Sequence, residues 1–155
     1  MAEIKQKPRF LAAKTEEDKI ARKVLVWINT FTELPADLDG DMVKYERLSD
    51  KPSMALSTIP GTYITRQYIY GGHEAEYRFK LIYRVTQLGA SDDKRLKADE
   101  LLNRFGDWAR EHWPDLGEGI TVRRVEPMER AELFGQYANG DEDHQIIMRL
   151  IYEVI

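Results

Sequence analysis

Two stretches decide the fold: Tyr63-Ile64-Thr65-Arg66-Gln67-Tyr68-Ile69-Tyr70, and Glu74 through Thr86, with Gly71-Gly72-His73 between them. In the second stretch Ala75, Tyr77, Phe79, Leu81, Tyr83 and Val85 fall on one face. Glu76, Arg78, Lys80, Ile82, Arg84 and Thr86 fall on the other. A period of two sustained this long is the mark of a strand with one face against a core. The first stretch is expected to pair with it as a hairpin. A two-residue Gly71-Gly72 turn would set Tyr68 opposite Ala75, Arg66 opposite Tyr77 and Ile64 opposite Phe79, which brings the apolar faces together. A three-residue loop shifts every partner by one, so an even loop of two or four residues is expected.

Upstream, Thr15 reads as a helix cap followed by Glu16, Glu17 and Asp18, acids that suit the positive end of the helix dipole. Ile20, Val24, Trp27, Ile28 and Phe31 then recur at helical spacing, so a helix over about 15–32 with one apolar stripe is expected. Residues 1–14 are read as an N-terminal arm carrying Lys5, Lys7, Arg9 and Lys14 against Glu3. Its simplest reading is a solvated tail; the sharper one is an arm that docks on a neighbour through Phe10 and Leu11. Asp37-Leu38-Asp39-Gly40-Asp41 misses the spacing of a calcium loop and reads as a turn. Val43 to Leu48 and Ser53 to Ile59 are strand candidates.

Downstream, Ser91 or Asp92 can cap a second helix over 93–113. Leu96, Leu101, Leu102, Phe105, Trp108 and Ala109 form its buried stripe, and Pro114 stops it. Ile120 to Val125 and Ala131 to Tyr137 read as strands, Asn139-Gly140 as a turn. The closing strand alternates Ile146, Met148, Leu150, Tyr152 and Val154. Helix, strands, helix, strands in that order predicts an α+β domain over 15–155, with a largely antiparallel sheet and a long central hairpin.

The chain has 155 residues, of which 43% are apolar and 32% charged, the balance of a soluble globular protein. A net charge of −4 gives no argument for a nucleic-acid or anionic-membrane partner. The absence of cysteine excludes disulfides and thiol chemistry. No apolar run approaches the roughly 20 residues of a membrane span, so a protein made in the cytoplasm, with no membrane partner, is expected. The chain holds no phosphate-binding glycine loop, HExxH or nucleophile elbow. His73, His112 and His144 each have an ordinary structural reading. No catalytic, cofactor or metal residue is expected, and the protein is read as not an enzyme.

What remains is surface. Tyr68, Ile69 and Tyr70 put more apolar area at a hairpin turn than a free tip normally shows. With Arg66, His73, Arg78 and Arg84 they form the expected interface set, since tyrosine and arginine dominate interface anchors. Strand packing is the plainer account of the same tyrosines.

Several segments, taken in order, resemble the minor capsid or tail-terminator-like proteins of long-tailed phages and prophages of Gram-positive bacteria. They are Phe31-Thr32-Glu33-Leu34-Pro35, Thr62-Tyr63-Ile64, Tyr68 through Gly72, Glu76-Tyr77-Arg78-Phe79 with Tyr83-Arg84, then Asp93 through Leu96, Leu101-Leu102-Asn103, Trp108 and Leu150 through Val154. The resemblance implies a virion structural protein of the head–tail junction, made in the host cytoplasm and acting without cofactors. It implies self-association as a hexameric ring on the end of the tail tube, with the tube protein and the head–tail connector protein as partners. The genome would pass through such a ring without specific binding; six chains at −4 each carry −24 formally. The acidic stretches Asp37 to Asp41 and Asp141 to Asp143 are candidates for its lining, or simply solvated turns. A connector stopper or other minor capsid component without tube-capping activity is the alternative, and a small-molecule binding module the distant one.

Overall fold

A computed structural model of the chain describes residues 9–61, 63–86 and 91–155; for residues 9–15 and 63 it describes the backbone alone. Among the described residues are two helices, α1 (Arg9–Ile28) and α2 (Asp92–Glu111). Seven strands form one sheet: β1 (Lys44–Tyr45), β2 (Ser53–Thr58), β3 (Tyr63–Gln67), β4 (His73–Val85), β5 (Ile120–Pro127), β6 (Glu132–Gln136) and β7 (Glu142–Val154). The fold is α+β and the sheet largely antiparallel, with β1 alone running parallel to its neighbour β2.

The sheet is built on β4 and β7, which pair antiparallel from His73 opposite Val154 to Val85 opposite Glu142. Each is flanked by a broken partner. On the outer edge of β4, β2 covers the half from Arg84 to Phe79, and β3 covers Glu76 to His73. The break falls at Pro60-Gly61, where Gly61 takes a φ of +99° that a side chain would resist. On the outer edge of β7, β5 and β6 divide the strand in the same way.

The alternation read from the sequence is what positions the core. Ala75, Tyr77, Phe79 and Leu81 of β4 are fully buried, as are Met148, Leu150 and Tyr152 of β7, with Ile146 1% exposed. The stripe of α1 (Ile20, Val24, Trp27 and Ile28, with Phe31 just beyond) meets Leu101, Leu102, Phe105 and Ala109 of α2 in the same cluster. Burying each large apolar side chain contributes about 1.5–3 kcal/mol before the entropy of ordering it is set against that gain. Trp27, Phe31, Phe105 and Trp108 form a contiguous aromatic set with ring centroids 5.2–5.9 Å apart. Both helices therefore cover one face of the sheet, and the face with Glu76, Arg78 and Lys80 is left open.

Four expectations are corrected. Helix α1 begins at Arg9, so Thr15 lies inside it and does not cap it. Ala12, Ala13 and Lys14 are strong helix formers, and they carry the helix back into the stretch read as an arm. The central hairpin does not close on a two-residue turn. Gln67 pairs with His73, which leaves the five residues from Tyr68 to Gly72 as the loop. A bulge between Ile64 and Arg66 follows, so Arg66 faces Glu74 and Ile64 faces Ala75, where Tyr77 and Phe79 were expected. The strand expected over Val43 to Leu48 shrinks to Lys44–Tyr45, because Glu46 turns to a φ of +53° and caps the Ser57 hydroxyl and Thr58 N–H with its carboxylate. Leu96 is 59% exposed. The buried stripe of α2 starts at Ala98, and Leu96 stands about 200° round the helix from it.

Elsewhere the local chemistry agrees with the reading. The Ser91 hydroxyl accepts from the Lys94 N–H and settles the cap of α2. Pro127 is the last residue of β5, and Asn139-Gly140 makes the turn into β7, with the Asp141 N–H donating to the Asn139 side chain at 3.0 Å.

Candidate interface

The hairpin loop projects from one end of the sheet. The Gly71 N–H donates to the Tyr68 carbonyl and the Tyr68 N–H to the Gly72 carbonyl, at 3.2 and 3.1 Å. Both glycines take positive φ, +90° and +81°. A Cβ on Gly72 would also stand 2.3 Å from the Val154 carbonyl oxygen, so the end of β7 closes on the loop only because this residue is glycine. Above this base Tyr68 and Tyr70 stack, with centroids 5.2 Å apart and planes within 17°. Tyr70 is 76% exposed and Ile69 wholly exposed. The tip is thus an apolar knob whose rings are already held in place, which lowers the ordering cost of any contact made through it.

The other candidate residues do not converge on that knob. Arg66 stands exposed beside it on β3, across from Glu74. His73 lies beneath it, its Nε2 2.9 Å from the Glu16 carboxylate of α1. Arg78 sits on the open face of the sheet, opposite Arg149 and 3.3 Å from Glu76. Arg149 in turn donates to Glu126 at 2.7 Å, a bond that holds the Glu126 carboxyl below its usual pKa.

Arg84 is at the far end of β4 and is no surface anchor. Its guanidinium makes two 2.8 Å bonds to the buried Asp143 carboxylate, donates to the Ser49 carbonyl and lies over the Tyr137 ring. The bonds to Asp143 raise its pKa further above an already high value. The backbone of Phe10 and Leu11 belongs to α1, and their side chains lie outside the described residues.

Arg84 marks a polar cluster that the sequence reading missed. Asp141, Glu142, Asp143 and His144 are all buried at the start of β7, so Asp141 to Asp143 are neither a solvated turn nor the lining of a channel. Glu142 receives two bonds from Arg95 of α2 and one from Gln136, and His144 Nδ1 stands 2.7 Å from Asp99. The His144 Nε2 has no hydrogen-bond partner among the described residues. Pairing the charges is what makes burying them tolerable. The partners lie 45 to 59 positions away, beyond any local motif.

Among the described residues no three His, Cys, Asp or Glu side chains are placed to hold a metal ion, and no helix is long and apolar enough to cross a membrane. No protein-family model matches the chain, and no curated protein matches it. Among solved structures, one whose designation carries no functional meaning aligns with 92% of this chain and 95% of its own. It is 17% identical, with a TM-score of 0.44, and carries no argument here about function.

Proposed function

We propose that this protein is a structural component of a phage head–tail junction, of the tail-terminator kind, which assembles as a ring and caps the tail tube. The observation that carries the reading is the knob of Tyr68, Ile69 and Tyr70, preorganised and unburied at one end of the sheet. An aromatic surface of that kind is characteristic of a contact made with another protein. The sheet edges support association through such tips. Strands β3, β5 and β6 each carry a bulge, and β1 is two residues long, so among the described residues no outer strand offers a long regular ladder for strand addition. In this reading the protein performs no chemistry. Its partners are copies of itself, the tube protein and the connector, and DNA passes without being held.

Light scattering across a concentration series tests the ring. Assembly at about 109 kDa, six times the 18.1 kDa chain, is the expected result. A mass that stays at one chain up to the highest concentration, with or without tail tubes, contradicts it.

A further inference from the structure

The turn between β6 and β7 exposes Asn139, and Gly140 follows it. Of the three asparagines in the chain, this one alone precedes a residue without a side chain. A Cβ at Gly140 would meet nothing within 4 Å, so the space beside its backbone nitrogen is open. The Asp141 N–H donates to Asn139 Oδ1 at 3.0 Å, which draws charge toward that oxygen and leaves Cγ electron-poor. The same donor can hold the oxyanion that forms on Oδ1 when a nucleophile adds to Cγ. Asn139 Nδ2 in turn donates to the Asp141 carboxylate at 3.0 Å. The Gly140 N–H is bonded to the Tyr137 carbonyl, also at 3.0 Å, so its nitrogen is freed when the turn opens locally. The other two asparagines are held differently. Asn29 precedes the β-branched Thr30 and bonds both the N–H and the carbonyl of Val43. Asn103 lies inside α2, precedes Arg104 and accepts from the Ala131 N–H.

We propose that Asn139-Gly140 is a site of spontaneous covalent modification, at which the chain converts its own amide to an acid and weakens the β6–β7 turn. The inference does not depend on the ring reading. When the turn opens, hydroxide removes the Gly140 amide proton and the nitrogen's electron pair attacks Asn139 Cγ. The new N–Cγ bond closes a succinimide ring, and Nδ2 leaves as ammonia with a proton from water, which regenerates the hydroxide. Water then adds to either ring carbonyl and reopens the ring. Addition at Cγ gives an aspartyl residue; addition at the main-chain carbonyl gives an isoaspartyl link through the side chain. One water is consumed, one ammonia is released, and nothing is oxidised or reduced. The aspartyl product puts a carboxylate oxygen where Nδ2 now faces the Asp141 carboxylate at 3.0 Å. Two carboxylates at that distance repel, and Asp141 is only 7% exposed, so water screens it poorly. The isoaspartyl product also lengthens the main chain of a turn that is closed by bonds between Tyr137 and both Gly140 and Asp141.

Incubating the intact protein in heavy-oxygen water at mildly alkaline pH, with samples taken over weeks, tests the reaction. The tryptic peptide 131–149 carries Asn139, and ring opening labels the acid as it forms; digestion then follows in ordinary water. Labelled aspartyl and isoaspartyl forms of this peptide are expected to accumulate, while the peptides with Asn29 and Asn103 stay unlabelled. Asn139→Asp tests the consequence, and its urea midpoint is expected to fall below that of the wild type. A peptide 131–149 that stays unlabelled, or labels no faster than the other two, overturns the site. An Asn139→Asp midpoint equal to the wild type's overturns the weakening of the turn.

Discussion

The hydroxyl of Tyr152 donates a 2.6 Å hydrogen bond to the carboxylate of Glu16, 136 positions away in the chain. The same Glu16 oxygen lies 2.9 Å from Nε2 of His73. One half-buried carboxylate therefore ties α1 to the last strand and to the base of the hairpin that carries the knob. Burial first, and then this bond to a carboxylate, raises the Tyr152 pKa well above its ordinary value, so the hydroxyl keeps its proton as donor.

Removing that donor is expected to loosen the knob from beneath. Tyr152→Phe keeps the ring in the core and deletes one bond to a charged group, a loss of about 1.5–3 kcal/mol. The midpoint of urea unfolding reads it, and an unchanged midpoint would show that the Glu16 tie contributes nothing.

The buried Arg84–Asp143 pair gives a larger effect. Arg84→Ala strands the Asp143 carboxylate, only 2% exposed, without its cation, and is predicted to cost about 3–5 kcal/mol. Arg84→Met combined with Asp143→Leu removes both charges and is expected to recover most of that loss. A single variant as stable as the wild type contradicts the assignment of Arg84 to the fold.

Trp108 stacks on Trp27 and His112 with centroids 5.2 Å away in each case. Trp108→Ala is predicted to cost about 3 kcal/mol, the lower end for such a truncation because the ring is half-buried. Thermal melts of the variant measure this. A melting temperature equal to the wild type's would place the ring outside the core.

Gly72 and Gly71 separate two effects in one loop. At Gly71 a Cβ meets nothing within 4 Å, so Gly71→Ala carries only the strain of positive φ, about 1 kcal/mol. At Gly72 the same change adds the collision with the Val154 carbonyl. Gly72→Ala is expected to destabilise more, by up to about 3 kcal/mol, and to weaken self-association by displacing the knob. Equal effects at the two positions would contradict the close approach of β7 to the loop.

The elements with sustained period were legible in the sequence. The alternations of β4 and β7 and the stripes of both helices mark their own buried faces, because a half-buried strand or helix repeats one choice many times. Single events were not legible. The bulge at Thr65 shifts the hairpin register with no marker in its residue type, and Glu46 ends β1 through side-chain bonds to Ser57 and Thr58. Asp141 to Asp143 look like a solvated turn until Arg84 and Arg95 arrive from other elements. At the candidate interface, Tyr68, Ile69 and Tyr70 were readable as apolar residues beside a turn. Arg84 had the right residue type but the wrong neighbours, and only the paired strands bring Asp143 to it.

The central claim is that this chain forms a ring that ends a tail tube, and electron microscopy of cognate tube subunits polymerised with and without the purified protein tests it directly. The account predicts rings seated on one end of each tube, tubes that stop growing once capped, and loss of both effects with Tyr68→Ser and Tyr70→Ser in a chain that still folds. Tubes that elongate equally in both preparations, with bare ends and no protein bound, would contradict it.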